Sequence, residues 1–448
     1  YPAMYQDRLT RGTSDLGITI LQGRTVGGST TINWTTSFRT PPRILERWAE
    51  AHAVSGWSVE DLAPHFAAIE ERLNIQEWPV ERANANNRVL LDGTRALGWQ
   101  SAPLHRNVRY CGTTGLCGIG CPIDAKQGMA ITYIPDAIEH GMRLYADTRA
   151  DSLVVENGRV TEIVASVLDR FDGRPTGTTI RVRPRVAVSS CGAINGPALL
   201  LRSGLDRNGR VGKRTMLHPV IALTGIYPQP IFGFTGAPQS IGSHQFIDRG
   251  PDRVGFFIEV PPLQPMLAAS GAFTFGAPQQ EMMGQLRNLG VLLAIHVDGW
   301  VEGDEGGTVS LGGDGRVVVD YPIGDRLKEA FRFSHETLAR IELAAGARYA
   351  LSTHIDPVRV ERESDIARFR DAPYGALEHA IFTAHQMGGC AMGDDPTRSV
   401  VSSRLQHHQV SNLFVVDGSV FPTALGVNPS NTIYAIAHRA RSFVADAV

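Results

Sequence analysis

The chain has 448 residues, 20% of them charged and 43% apolar, with a formal net charge of −2. That length can bury a sizeable core in one large domain or a few intertwined ones, and so small a net charge gives no electrostatic reason to expect nucleic acid or an anionic membrane surface as partner. No apolar run reaches the roughly 18 residues that a membrane helix needs, and five cysteines in so long a chain do not make a disulfide scaffold.

Taken in chain order, residues 1–21 read as polar loop ending in the apolar stretch Gly17-Ile-Thr-Ile-Leu21. A glycine-rich segment follows from Gly23 to Asn33. Apolar residues at helical spacing predict a largely helical region over 43–73. Residues 103–128 form a loop carrying Cys111, Cys117 and Cys121, and a short helix is expected over 134–141. Alternating residues around Asn157-Gly158 predict a hairpin within 144–168. A strand at 185–189 leads to Gly192–Gly204, where Pro197 to Ser203 reads as a first helical turn. From about 220 to 371 strand-like runs (256–260, 291–297, 309–311, 317–321) alternate with turns, and a helix is expected over 326–345. The tail carries Thr383-Ala-His-Gln-Met-Gly-Gly-Cys-Ala-Met-Gly393, then Asp417-Gly-Ser-Val-Phe-Pro-Thr423, then Asn428-Pro-Ser-Asn-Thr432 opening an apolar helix.

Three of these blocks resemble the signatures of one family. Gly23-Arg-Thr-Val-Gly-Gly-Ser-Thr-Thr-Ile-Asn33 looks like the first signature of the glucose–methanol–choline (GMC) flavin oxidoreductases, Gly192-Ala-Ile-Asn-Gly-Pro-Ala-Leu-Leu-Leu-Arg-Ser-Gly204 like the second, and the tail like the C-terminal one. Gly212-Lys-Arg-Thr-Met-Leu-His218-Pro219 is also similar. The blocks come in the family's order and span nearly the whole chain. The resemblance implies an α/β fold in which an FAD-binding Rossmann-like domain, residues 1–219 and 376–448, is interrupted by a substrate domain of antiparallel sheet and helices, residues 220–375. The family normally opens with a strand, a G-x-G-x-x-G turn and a helix that cradle the FAD pyrophosphate. No such turn precedes Gly23. Either the chain as given lacks its true N-terminal segment, or the protein is a remnant that does not hold FAD; the flavin-ring residues favour the first.

The resemblance assigns roles residue by residue. Gly27, Gly28, Ser29, Asn33, Asp417, Gly418, Asn428, Pro429 and Thr432 are expected at FAD. His385 is expected to be the base that takes an alcohol's hydroxyl proton while hydride leaves to flavin N5, and Asn428 the amide that holds the alcohol oxygen in register. A histidine suits that task because its ordinary pKa lies near working pH. Gln22–Trp34 and Asp124–Gln127 look closest to bacterial alcohol dehydrogenases and long-chain alcohol oxidases. The expected substrate is a small-molecule alcohol, with oxygen, a quinone or a cytochrome as acceptor and bacterial cytoplasm and periplasm both open as compartment. Cys111, Cys117 and Cys121 have three readings: thiolates for a 3Fe-4S cluster, a zinc site still wanting a fourth ligand, or a structural loop with free thiols. Glu259 reads as a polar group in the pocket or a paired residue. Cys191, Cys390, Trp34 and Trp57 read as packing, and the pair His407-His408 as surface. Phe232, Phe234, Phe246, Phe256, Phe257 and Phe273 suit an apolar pocket or a core equally.

Overall fold

The computed structural model describes every residue except Phe273, whose expected place in the pocket therefore lies outside the described residues. Its centre is a mixed nine-stranded sheet. Val220–Ile226 pairs antiparallel with Leu289–His296, which continues through Phe256–Glu259 and Ile241–Ser243 to Ala102–Pro103. The other edge of Val220–Ile226 is shared. Phe382–Thr383 takes its first residue, and Tyr349–Ser352 takes Leu223 to Ile226. Thr19–Ile20 then runs parallel to Phe382–Thr383. Leu289–His296 is buried along its whole length, which explains its unbroken apolar sequence where a half-exposed strand would alternate. The 20-residue helix Asp325–Ala344 lies against this sheet through Leu327, Phe331, Leu338 and Ile341.

A second, smaller unit is parallel. Ala187–Ser189 pairs in parallel with Leu413–Val415. Immediately after the first of these strands comes the helix Gly192–Arg202, and after the second comes Asp417-Gly418. Ligands in α/β sheets bind beyond the carboxyl ends of parallel strands, so these two strand ends mark a binding crevice on topology alone. The C-terminal helix Ser430–Ala445 packs on Val59–Arg72.

Several expectations need correcting. The helical region over 43–73 is two helices, Pro42–His52 and Val59–Arg72, separated where Ala53 turns left-handed (φ 53°) and Ser58 begins a new helix with a capping box. The hairpin forms at Asn157-Gly158, both with positive φ, but a third strand, Pro175–Val182, extends it. The helix Ala85–Ala96, capped by the Asn84 side chain, was not expected at all. The hairpin Thr308–Leu311 with Val317–Asp320 stays apart from the main sheet and packs Val309 and Val319 on Ile194 and Ala198 of the helix Gly192–Arg202. His407 is buried rather than superficial, and His408 hydrogen bonds Ser399.

The helix Ala85–Ala96 approaches Asp325–Ala344 closely because Gly93 has no side chain, and a Cβ there would meet the Ile341 carbonyl oxygen. Gly93→Ala should therefore destabilise the fold by about 1–3 kcal/mol through overpacking, read as a lowered thermal midpoint. An unchanged midpoint would mean that the two helices have room to separate.

Candidate active site

Two cavities adjoin, one of them beside these strand ends. One, of about 330 Å³, is lined by Gly28, Ser29 and Asn33 from the glycine-rich segment, by Asp417-Gly418, by Asn428-Pro429 and by His385. Stretches separated by hundreds of residues thus meet round one space. Of the residues expected at FAD, only Gly27 and Thr432 stand off its wall. Gly27 shapes the turn (φ 87°), where a Cβ would press on Thr31 and Ala130. Thr432 is buried, its hydroxyl 3.0 Å from that of Thr40. Cys191 lines the cavity instead of packing in a core, and Trp34 does the same.

Several polar groups on the wall are anchored from behind. Asp417 accepts the backbone N–H of Gly192 at 2.8 Å and of Ser419 at 2.8 Å, so its carboxylate sits at the positive end of the helix Gly192–Arg202. Burial pushes its carboxyl upward while these N–H groups pull it back. The loop from Thr31 to Asn33 is tied down by Lys126, whose ammonium donates to the carbonyls of Thr31, Asn33 and Cys117. Burial lowers that lysine to about 8.

Asn428 stands one residue ahead of the helix cap. Pro429 holds the cap position without a side-chain bond, while the Asn428 amide turns into the sheet. Its Nδ2 lies 3.2 Å from Glu259 Oε2 and 3.2 Å from His385 Nε2. Glu259 is fully buried on the strand Phe256–Glu259, lines neither cavity, and also accepts from Gln239 Nε2. Burial raises its carboxyl to about 8.

His385 is placed by its backbone N–H, which donates to Thr383 Oγ1 at 3.1 Å, and by its ring Nδ1, 3.2 Å from His218 Nδ1. Burial lowers its imidazole to about 4. His218 is wholly buried and left-handed (φ 48°), a strained backbone for a residue that is not glycine. Asp298 holds that strain. Its carboxylate accepts the N–H of Leu217 at 2.7 Å, the N–H of His218 at 3.0 Å and the Tyr321 hydroxyl at 2.7 Å. The side chains of His218 and Glu259 back the two that face the cavity. Sequence reading weighed Glu259 and quoted His218 only within a family-like block.

Does the space suit a flavin? A Cβ at Gly28 would meet nothing within 4 Å, so the backbone there faces open cavity. Asn33 Oδ1 and Asn428 Oδ1 are buried without partners, and native proteins seldom leave such atoms unpaired. A flat heterocycle bearing both donors and acceptors answers both observations, so the residues fit the group. The cysteine loop fits a cluster less well. Cys111, Cys117 and Cys121 border one recess of about 10 Å³, and among the described residues no three His, Cys, Asp or Glu side chains are arranged to hold a metal ion. All five cysteines are free thiols.

The second cavity, about 470 Å³, is largely apolar and shares Leu21, Trp34, Leu293 and Phe382 with the first. Leu263, Leu267, Met282, Val291 and Leu351 supply much of its wall. No helix among the described residues is long and apolar enough to cross a membrane.

Fold and site together define a protein of mixed α/β architecture in which a polar and an apolar cavity adjoin. Residues 1–220 match the N-terminal and residues 305–437 the C-terminal sequence models of GMC oxidoreductases, and the chain belongs to that family. It is 30% identical over 97% of its length to a long-chain-alcohol oxidase of Arabidopsis thaliana, of which it spans 60%. It is 25% identical to the 6'''-hydroxyparomomycin C oxidase of Streptomyces lividus, over 94% of this chain and 78% of that one. Pyridoxine 4-oxidase from Mesorbium loti shares the fold, with a TM-score of 0.70 at 19% identity, covering 98% of this chain and 87% of that one.

Asp298→Ala should strand the Leu217 and His218 N–H groups in the interior and release the His218 backbone. A loss of roughly 2–4 kcal/mol is expected, at about 1–3 per unsatisfied group less whatever relaxation recovers, measured by denaturant unfolding. A loss below about 0.5 kcal/mol would show that His218 keeps its conformation without the carboxylate.

Proposed function

We propose that the protein is an FAD-dependent oxidoreductase that converts an alcohol CH–OH group to a carbonyl, with His385 as the base and Asn428 as the group that holds the alcohol oxygen. The observation that carries this reading is the convergence of His385 Nε2 and the Asn428 amide, 3.2 Å apart, on the wall of a cavity whose other walls suit a flavin. FAD, when bound, supplies the hydride acceptor and carries the electrons onward. Gly28, Ser29, Asn33, Asp417, Gly418 and Pro429 would hold it, with Gly27 and Thr432 shaping the turn and helix behind them.

The chain's own part is positional and protonic. Buried on its Nδ1 side by His218, the His385 ring has only Nε2 free to meet a substrate. Its lowered pKa keeps it from taking a second proton at ordinary pH, and when Nε2 is the bare nitrogen it accepts the hydroxyl proton: the O–H bond breaks and an N–H bond forms at Nε2. Asn428, fixed by Glu259, keeps the oxygen from rotating away, and fixed orientation alone contributes several kcal/mol. The adjoining apolar cavity supports an alcohol with an apolar body, and the resemblance to a long-chain-alcohol oxidase supports the same class. Molecular oxygen as electron acceptor is supported by relatives named as oxidases. The cysteine loop, on this reading, is structural: Cys117 lends its carbonyl to Lys126 and so helps hold the Thr31–Asn33 loop.

His385→Ala should slow cofactor reduction by an alcohol roughly 10²–10⁴-fold, the usual cost of losing a general base, when followed anaerobically by stopped flow. Unchanged reduction would remove His385 from the chemistry. Cys117→Ser should leave cofactor reduction and reoxidation intact, whereas loss of iron together with slowed reoxidation would restore the iron–sulfur reading.

A further inference from the structure

The groups behind the cavity form one hydrogen-bonded chain. Thr36 Oγ1 donates to Gln239 Oε1 at 2.7 Å, and Gln239 Nε2 donates to Glu259 Oε2. Asn428 stands between Glu259 Oε2 and His385 Nε2, 3.2 Å from each. His385 Nδ1 lies 3.2 Å from His218 Nδ1, and the Gly426 N–H points at His218 Nε2 from 3.3 Å. A single proton occupies each side-chain contact of this chain, so the choice made at one link passes to the next, and the Gly426 N–H at its end is satisfied only when His218 Nε2 is bare.

Two arrangements follow. With Glu259 ionised, its carboxylate demands the Asn428 NH2, whose second hydrogen points to His385 Nε2. That nitrogen is then bare, the His385 proton sits on Nδ1 and is donated to His218 Nδ1, and His218 carries its own proton on Nε2, against the Gly426 N–H. With Glu259 protonated, the amide turns over. Asn428 Oδ1, otherwise buried without a partner, accepts from Glu259 O–H and from His385 Nε2–H. His218 then donates through Nδ1, and its bare Nε2 accepts the Gly426 N–H. In the first arrangement Nε2 carries no proton, and an alcohol that takes the Asn428 N–H onto its own oxygen can give its hydroxyl proton there; in the second Nε2 already carries a proton, held by Asn428 Oδ1, and cannot accept another.

We infer that the proton on Glu259 decides whether His385 can act as the base, with the Asn428 amide transmitting the choice. This rests on the reading of His385 as base given above. Glu259 is a positioning residue, since it lines neither cavity. Within the chain, ionised Glu259 and the satisfied Gly426 N–H pull in opposite directions, so the two arrangements are balanced against each other rather than one being locked.

The direction in pH follows. Burial raises Glu259 to about 8, hydrogen bonds from Asn428 and Gln239 oppose this, and no charged side chain acts on it. The titratable groups packed round the chain are His385, His244 and His296, each lowered by burial to about 4, His218, held by burial well below the usual imidazole range, and Asp298, raised by burial to about 7 behind His218. Above about 8 Glu259 is ionised and His385 is a base. As pH falls through that value the base form is lost, although His385 itself stays unprotonated down to about 4.

The test is a pH series on the FAD-loaded enzyme with two readouts: anaerobic cofactor reduction by an alcohol, and the 15N shifts of His385 in histidine-labelled protein. Wild type should lose rate about tenfold per pH unit below the Glu259 midpoint, and over the same range its Nε2 should change from bare to protonated. Glu259→Gln, which offers Gln239 and Asn428 an amide oxygen and has no proton to gain, should keep Nε2 bare and hold its rate level until His385 protonates near 4. Glu259→Asp should restore an alkaline limb. A Glu259→Gln profile identical to wild type, or a wild-type Nε2 that never changes across that limb, overturns the inference; the second needs no variant to fold. His385→Ala reports separately on the base assignment: full activity there refutes the earlier reading, whatever the Glu259 variants do.

Discussion

Everything at the site hangs on the carboxylate of Asp298. It gathers two consecutive backbone N–H groups and a tyrosine hydroxyl within 3.0 Å, and so keeps His218 in a left-handed conformation that costs a non-glycine residue of order 1–3 kcal/mol. A relaxed His218 would carry its ring elsewhere, and His385 would lose the partner that fixes its ring. On the other flank Glu259 and Gln239 do the same for Asn428. A charge or amide buried without partners is costly. Here Asp298 holds the backbone of His218 and Glu259 holds the amide of Asn428, which is how a rigid constellation is made from flexible side chains.

This arrangement places different chemistry on different links. The main antiparallel sheet supplies a dry backing, with Leu289–His296 buried throughout, and the apolar cavity lies along it. The short parallel pair supplies strand ends, glycine turns and a helix N-terminus, which suit a polar, partly anionic ligand. His385 follows the strand Phe382–Thr383 and Asn428 precedes the helix Ser430–Ala445. His385 and Asn428 therefore line the polar cavity, which meets the apolar one at Leu21, Trp34, Leu293 and Phe382; on the proposed reading an alcohol would place its hydroxyl at that pair and its apolar tail across this shared wall.

How much of this could be read from sequence depends on distance along the chain. Local blocks were legible. The glycine-rich segment, the His385 stretch and the Asn428 stretch each carry their signal within a dozen residues, because tight turns and close backbone approach require glycine at set spacings. The long helix Asp325–Ala344 and the Asn157-Gly158 hairpin were legible through periodicity and turn chemistry. The helix Ala85–Ala96 was not, for its asparagines and glycine weaken the helical pattern although Asn84 caps it. The backing residues were illegible for a different reason. His218 meets His385 across 167 residues, and Glu259 meets Asn428 across 169, and nothing local in either stretch announces its partner. Asn-Pro before an apolar run has the local meaning of a helix cap, and only the distant carboxylate of Glu259 shows where the Asn428 amide turns instead.

The measurement that bears most directly on the account is the visible spectrum of the purified, FAD-loaded protein, taken anaerobically before and after adding primary alcohols of increasing chain length. Flavin bands that bleach, and bleach at lower concentration as the apolar chain lengthens, are the result the two adjoining cavities predict. Bound flavin that no alcohol reduces, or that short polar alcohols reduce better than long apolar ones, would contradict it.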